Sequence, residues 1–187
     1  MDIIELSKPL SPFDIEIRTG MAGKNDNGVW ATLLAYKTSR VDVARLNSVC
    51  GLDWCCSYYY DQKGFLVCKI GIYNQESKQW VYREDVGKEC KTGNDIEKSV
   101  YSDALKRAGF RWGVGLELYS MPLLFVNLNN GEYYEKQVNG KGKINPKLSG
   151  WSIDYDYDKN NVVVLDRNGK IRCSAFWSFI KSIKEQQ

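Results

Sequence analysis

Histidine is absent from all 187 residues. With it go the Ser-His and Cys-His nucleophile pairs and the commonest general base at neutral pH. The six cysteines (Cys50, Cys55, Cys56, Cys68, Cys90 and Cys173) contain no C-x-x-C pair, so a standard structural zinc site is not expected. No apolar run approaches the roughly 18 to 20 residues that would span a bilayer, and the opening MDIIELSKPLSP is too short and polar for a secretory leader. A reducing, cytoplasmic setting with free thiols is the expectation, with no membrane association. The excess of cations is small too: 26 Lys and Arg against 23 Asp and Glu give a net charge of +3, so any nucleic-acid surface must come from local clustering. Gly23-Lys24 fails as a phosphate loop, because Arg18 stands at the first glycine and Asn25 replaces the magnesium-holding hydroxyl. Asp154, Asp156 and Asp158 fail as a calcium loop, because Lys159 replaces the glycine and Leu165 the closing glutamate. No cofactor is expected.

What is present has a readable order. Up to about Gly28 the prolines and glycines suggest an irregular segment. Trp30 to Tyr36 reads as a strand, and Val41 to Val49 as a short helix with Val41, Val43, Ala44, Leu46 and Val49 on its apolar side. Trp54–Tyr60, Phe65–Tyr73 and Gln79–Val86 read as strands joined by loops of hairpin length, an antiparallel meander, with Leu66, Cys68, Ile70 and Ile72 on one face of the middle strand and Val67, Lys69, Gly71 and Tyr73 on the other. A long helix follows from about Asp95 to Trp112, capped by Asn94 and Glu97 and stopped by Gly113 and Gly115. Its apolar stripe is Ile96, Val100, Ala104, Leu105, Ala108 and Trp112. The fold class expected is α+β: a three-stranded β-meander packed on a long helix, a β-β-β-α core over residues 1–122. A β-rich extension, 123–187, ends in a short helix from Ala175 to Glu185 with Ser174 as its cap, and its basic stretch KQVNGKGKINPK (136–147) reads as an exposed loop.

The long helix also carries Lys106 and Arg107 side by side, with Arg111 one turn on, a spacing that suits successive phosphates. Lys69 on the middle strand is a further candidate. Tyr58, Tyr59 and Tyr60 alternate faces, so at least one ring is available to stack on a base. The competing reading uses Glu84, Asp85 and Glu89 as carboxylates of a magnesium-dependent nuclease.

Four pieces in this order, FDIEIRTG (13–20), YKTSRVDVARLNSVCGLDW (36–54), WVYREDVG (80–87) and YSDALKRAGFRWGVGLELYSMP (101–122), resemble the Rad fifty-two family of single-strand DNA annealing proteins. The likeness is to its short phage and bacterial members of the Sak type. The resemblance implies a non-catalytic protein that assembles into rings or short helical oligomers and holds single-stranded DNA in a basic groove, annealing complementary strands without ATP in recombination and repair. It implies Lys106 and Arg107 on the groove floor and Arg40 on the opposite wall, with Arg111 and Lys69 as weaker contacts. A single-strand binding protein or an exonuclease is the candidate partner.

Overall fold

The computed structural model describes residues 3–88, 96–138 and 140–184. Two short 3-10 turns, Ile3–Ser7 and Pro12–Asp14, lead into β1 (Glu16–Asn25), β2 (Gly28–Tyr36), α1 (Ser39–Cys50), β3 (Trp54–Tyr60), β4 (Leu66–Asn74), β5 (Gln79–Val86) and α2 (Ile96–Arg111). After a third 3-10 turn, Leu116–Ser120, come β6 (Leu124–Leu128), β7 (Tyr133–Val138), β8 (Lys141–Pro146), β9 (Ser152–Asp156), β10 (Asn161–Leu165), β11 (Ile171–Phe176) and α3 (Phe179–Lys184). The strands form four small antiparallel sheets, ordered β1-β2-β6, β3-β4-β5, β7-β8 and β11-β10-β9.

The expected α+β class is therefore corrected. The described chain is mostly β, divided over four sheets of two or three strands, and its three helices are short, so one β-β-β-α core on a long helix does not describe it. Three segments read otherwise from sequence are strands. β1 occupies the glycine-bearing stretch taken as irregular, β7 and β8 occupy the basic stretch taken as a loop, and β11 takes Ser174, Ala175 and Phe176 from the predicted closing helix, which starts at Phe179. Among the described residues no helix is long and apolar enough to cross a membrane.

The chain forms two compact units, Met1–Leu10 with Lys37–Leu116, and Ser11–Tyr36 with Glu117–Gln187. Both units are discontinuous in sequence. In the first unit Leu66, Cys68, Ile70 and Ile72 alternate onto one face of β4 and are buried with Ala104, Leu105, Ala108 and Trp112 of α2. Trp112 Nε1 donates to the Ile70 carbonyl at 3.3 Å, and each buried aliphatic side chain contributes about 1.5–3 kcal/mol over leaving it in water. The buried stripe of α1 is Asp42, Leu46 and Cys50, at strict four-residue spacing, rather than the valines. Arg45, on the same helix, donates to the carbonyls of Glu5, Lys8 and Pro9 at 3.0, 2.8 and 3.3 Å, strapping the N-terminal segment down.

In the second unit β1 bends at a bulge between Thr19 and Ala22, where the Thr32 hydroxyl accepts from the Met21 N–H at 2.8 Å. A Cβ at Gly23 would sit 3.0 Å from the Trp30 ring, so this glycine makes room for a cross-strand aromatic instead of marking a loop. Arg172 of β11 is nearly buried; it pairs with Glu132, donates to the Asn127 carbonyl at 2.9 Å and lies over the Trp151 ring at 4.8 Å.

Candidate nucleic-acid interface

Helix α2 turns Ala104, Ala108 and Trp112 inward, which leaves Asp103, Lys106, Arg107 and Arg111 on the partly exposed stripe beside them. The helix stops at Gly113 (φ 94°), and Gly115 (φ 72°) follows in the same left-handed region. Side chains would also collide there: a Cβ at Gly113 would stand 2.8 Å from Ser7 Cβ, and one at Gly115 2.9 Å from Lys37 Cδ. The predicted Asn94 cap lies outside the described residues.

The cations are organised by one carboxylate. Arg107 Nε lies 3.3 Å from Asp85 Oδ1 and Arg111 Nε 3.0 Å from Asp85 Oδ2, so two guanidiniums from successive turns of α2 converge on one residue of β5. Burial opposes ionisation of Asp85, but the hydrogen bonds from Arg111 and the Val86 N–H, with the charge of Arg107, outweigh it and hold the carboxyl below its ordinary range. Each arginine spends its Nε–H on Asp85, leaving the Nη donors without a hydrogen bond among the described residues. Lys106 stands 3.8 Å from Asp103, and Arg83 of β5 lies over Trp112 at 4.5 Å while donating to the Arg111 carbonyl.

Beneath this surface is a pair that sequence reasoning missed. Lys37 and Asp42 form an ion pair with both side chains fully buried; the Lys37 ammonium also lies 4.1 Å from the Phe110 ring centre and 3.4 Å from the Lys106 carbonyl. Burial pushes the Asp42 carboxyl up to about 6, only partly offset by the charge and hydrogen bond of Lys37. Its Oδ2 has no hydrogen-bond partner among the described residues. Gly109 of α2 makes the arrangement possible, since a Cβ there would overlap the Asp42 carboxylate. The signal available in the sequence was the acid itself, at the head of the Asp42, Leu46, Cys50 stripe.

The first unit thus holds an arginine pair on a single acid, next to a partly exposed lysine, on a helix seated over a buried ion pair. Across 123 residues, 65% of this chain and 54% of that protein, the chain is 25% identical to the single-stranded DNA-binding protein DdrA of Deinococcus radiodurans. The chain is similar to a single-stranded DNA-binding protein. It spans about half the length of that curated relative. No family profile and no solved structure matches it.

The structure brings some of the sequence-predicted residues together and separates others. Lys106, Arg107 and Arg111 share the α2 surface. Arg40 sits within the first turn of α1 rather than just before it, and is exposed with no ion pair among the described residues. The neighbouring Ser39 hydroxyl accepts from Ser102 of α2 at 3.0 Å, which brings that turn to within one helical turn of Lys106. Lys69 is on the other side of the sheet. It alternates with Ile70 on β4, and its ammonium lies 4.4 Å over Tyr82, whereas α2 packs on the face of Ile70, Arg83 and Asp85. Tyr59 shares that outer face and donates to Glu84 at 3.0 Å; Tyr58 is on the α2 side, 4.9 Å from Tyr101. Glu84 and Asp85 therefore point to opposite faces of β5, and Glu89 lies outside the described residues. Among the described residues no group of three or more acids, cysteines or histidines is placed to hold a metal ion. The basic 136–147 stretch is a hairpin belonging to the second unit.

Proposed function

We propose that this protein binds single-stranded DNA along the cations of α2 and anneals complementary strands without ATP. It acts as an oligomer, a ring or short helical array of the Rad fifty-two type, in phage or bacterial recombination and repair within the cytoplasm. The observation that carries the reading is the convergence of Arg107 and Arg111 on Asp85, with Lys106 alongside and Arg40 one turn away. Guanidiniums that use one edge on a carboxylate keep donors for phosphate oxygens, which match the same fork geometry. The similarity to a single-stranded DNA-binding protein supports the same ligand.

Mechanism follows from where the charge lies. Contacts to phosphates neutralise the strand and release counterions, while base edges left outside can test a second strand for complementarity; pairing energy then drives annealing. No bond is made or broken. One protomer offers few phosphate contacts, so useful affinity comes from neighbouring protomers on one strand.

The test is fluorescence anisotropy with a labelled single strand across a salt series. Lys106→Ala with Arg107→Ala is expected to weaken binding and to flatten the log–log salt slope by about 1.4, since each single-strand phosphate contact contributes roughly 0.7. Lys69→Ala, on the opposite sheet face, leaves that slope unchanged. A double variant with wild-type affinity and slope overturns the site. Solution mass with and without DNA tests the oligomer, and a monomer under both conditions rules it out. Cleavage of the labelled strand with magnesium would instead identify a nuclease.

A further inference from the structure

Two thiols that play no part in the α2 surface lie together inside the same unit. Cys56 of β3 and Cys68 of β4 are diagonal neighbours across the antiparallel pair, flanking the Ser57–Lys69 register position, and their sulfurs are 3.4 Å apart. A disulfide bond is about 2.05 Å long, and diagonal positions stand farther apart than directly opposed ones, so closing the remaining gap asks for side-chain rotation together with a local adjustment of the two strands. Cys56 is part-exposed and Cys68 fully buried, so of the two it is the Cys56 residue that borders solvent. Cys55, next in the chain, points to the other face and stands beside no second thiol among the described residues.

We propose that Cys56 and Cys68 are a reversible dithiol–disulfide site, with Cys56 as the peroxide-reactive sulfur and Cys68 as the resolving one. A hydrogen bond from the Cys68 thiol lowers the Cys56 thiol from its ordinary value against the upward push of burial, with Tyr58 adding a smaller pull in the same direction. Cys68 is pushed up by its hydrogen bond to Cys56 and by burial, and keeps its proton. The Cys56 thiolate attacks one oxygen of hydrogen peroxide; the O–O bond breaks, and the departing hydroxide takes a proton to become water. Cys56 is left as sulfenic acid. Cys68 sulfur then attacks Cys56 sulfur, the S–O bond breaks, and the second hydroxide leaves with the Cys68 proton as water. In sum two thiols lose two electrons and two protons, peroxide is reduced to two waters, and a small dithiol reductant reverses the change. The bond ties β3 to β4 on the face that Tyr58 shares with Tyr101 of α2.

The experiment uses the full chain and hydrogen peroxide, followed by denaturation, maleimide blocking and peptide mapping, so it reads covalent state and not DNA binding. Cys56 and Cys68 are expected to lose maleimide reactivity together, to appear as one cross-linked peptide, and to recover both thiols after a dithiol reductant. Cys55→Ser leaves this unchanged. Cys68→Ser halts at a Cys56 sulfenic acid that a dimedone probe traps, and Cys56→Ser leaves Cys68 reactive. Independent loss of the two thiols, overoxidation of Cys56 with Cys68 still free in the wild type, or a cross-link through Cys55 would each overturn the assignment. Because the wild-type map needs no variant to fold, it decides the matter alone.

Discussion

Arg111 Nε donates to Asp85 Oδ2 at 3.0 Å while Arg107 holds the other oxygen of the same carboxylate. Asp85 is therefore both the organiser of the cationic surface and its internal competitor, since a bound phosphate must share or displace it.

Replacing Asp85 with Asn removes that competitor and keeps the shape. Ion pairs whose arginines are this exposed are worth about 0–1 kcal/mol, so stability changes little. Single-strand affinity is expected to rise about two- to fivefold at low salt. Anisotropy at fixed salt checks this; weaker binding would mean that Asp85 matters chiefly for aiming the arginines. Because the Asp85 carboxyl is held below its ordinary range, it stays charged from pH 8 down to pH 5, and mild acidification will not mimic the substitution.

Gly109 and Asp42 are predicted to be inseparable. In an exposed helix Gly→Ala gains about 1 kcal/mol, but here the new methyl overlaps the Asp42 carboxylate, and overpacking of this kind costs about 1–3 kcal/mol or more. Gly109→Ala should destabilise, as read by urea denaturation. Asp42→Asn removes the counter-charge of the buried Lys37 ammonium and should cost about 3–5 kcal/mol, whereas Lys37→Met with Asp42→Leu recovers much of that loss. A stabilised Gly109→Ala would show that α1 and α2 are not in close contact at this point.

These two sites show where sequence reading succeeds and where it stops. The middle strand β4 and helix α2 announced themselves by periods of two and 3.6. What misled was composition without its partners. Gly20 and Gly23 look like loop residues until Thr32, Leu34 and Trp30 stand opposite them, and the lysines of 136–147 hide two strands that pair from Tyr133 with Pro146 to Val138 with Lys141. Counting those segments as strand is what moves the fold from α+β to mostly β. The α2 cations were legible as a cluster. Their shared carboxylate was not, because it depends on how α2 seats against β5; the place of Lys69 on the far face follows from its alternation with Ile70 along β4.

Glu132 and Arg172 carry a prediction in pH. The hydrogen bond from Arg172, with those at Asn129, outweighs burial and holds the Glu132 carboxyl below its ordinary value. A carboxyl whose folded pKa is depressed contributes stability that is complete above its unfolded value near 4.5 and is lost as pH falls through the folded one. Glu132→Gln should therefore cost roughly 1–4 kcal/mol at pH 7, and the gap to the wild type should narrow as the pH is taken below 4.5. Urea midpoints at the two pH values check it; a gap independent of pH would sink the assignment.

The discontinuous second unit has a consequence for synthesis. Strand β2 pairs with β6, which leaves the ribosome only after the whole of Lys37–Leu116 has been made. The β1–β2 hairpin must wait, with the buried face of Val29, Ala31 and Leu33 uncovered, while the first unit has every segment it needs to fold. Closing that long-range pairing is the slow event, and an interruption of synthesis before β6 leaves an unpaired sheet edge, the state most open to aggregation.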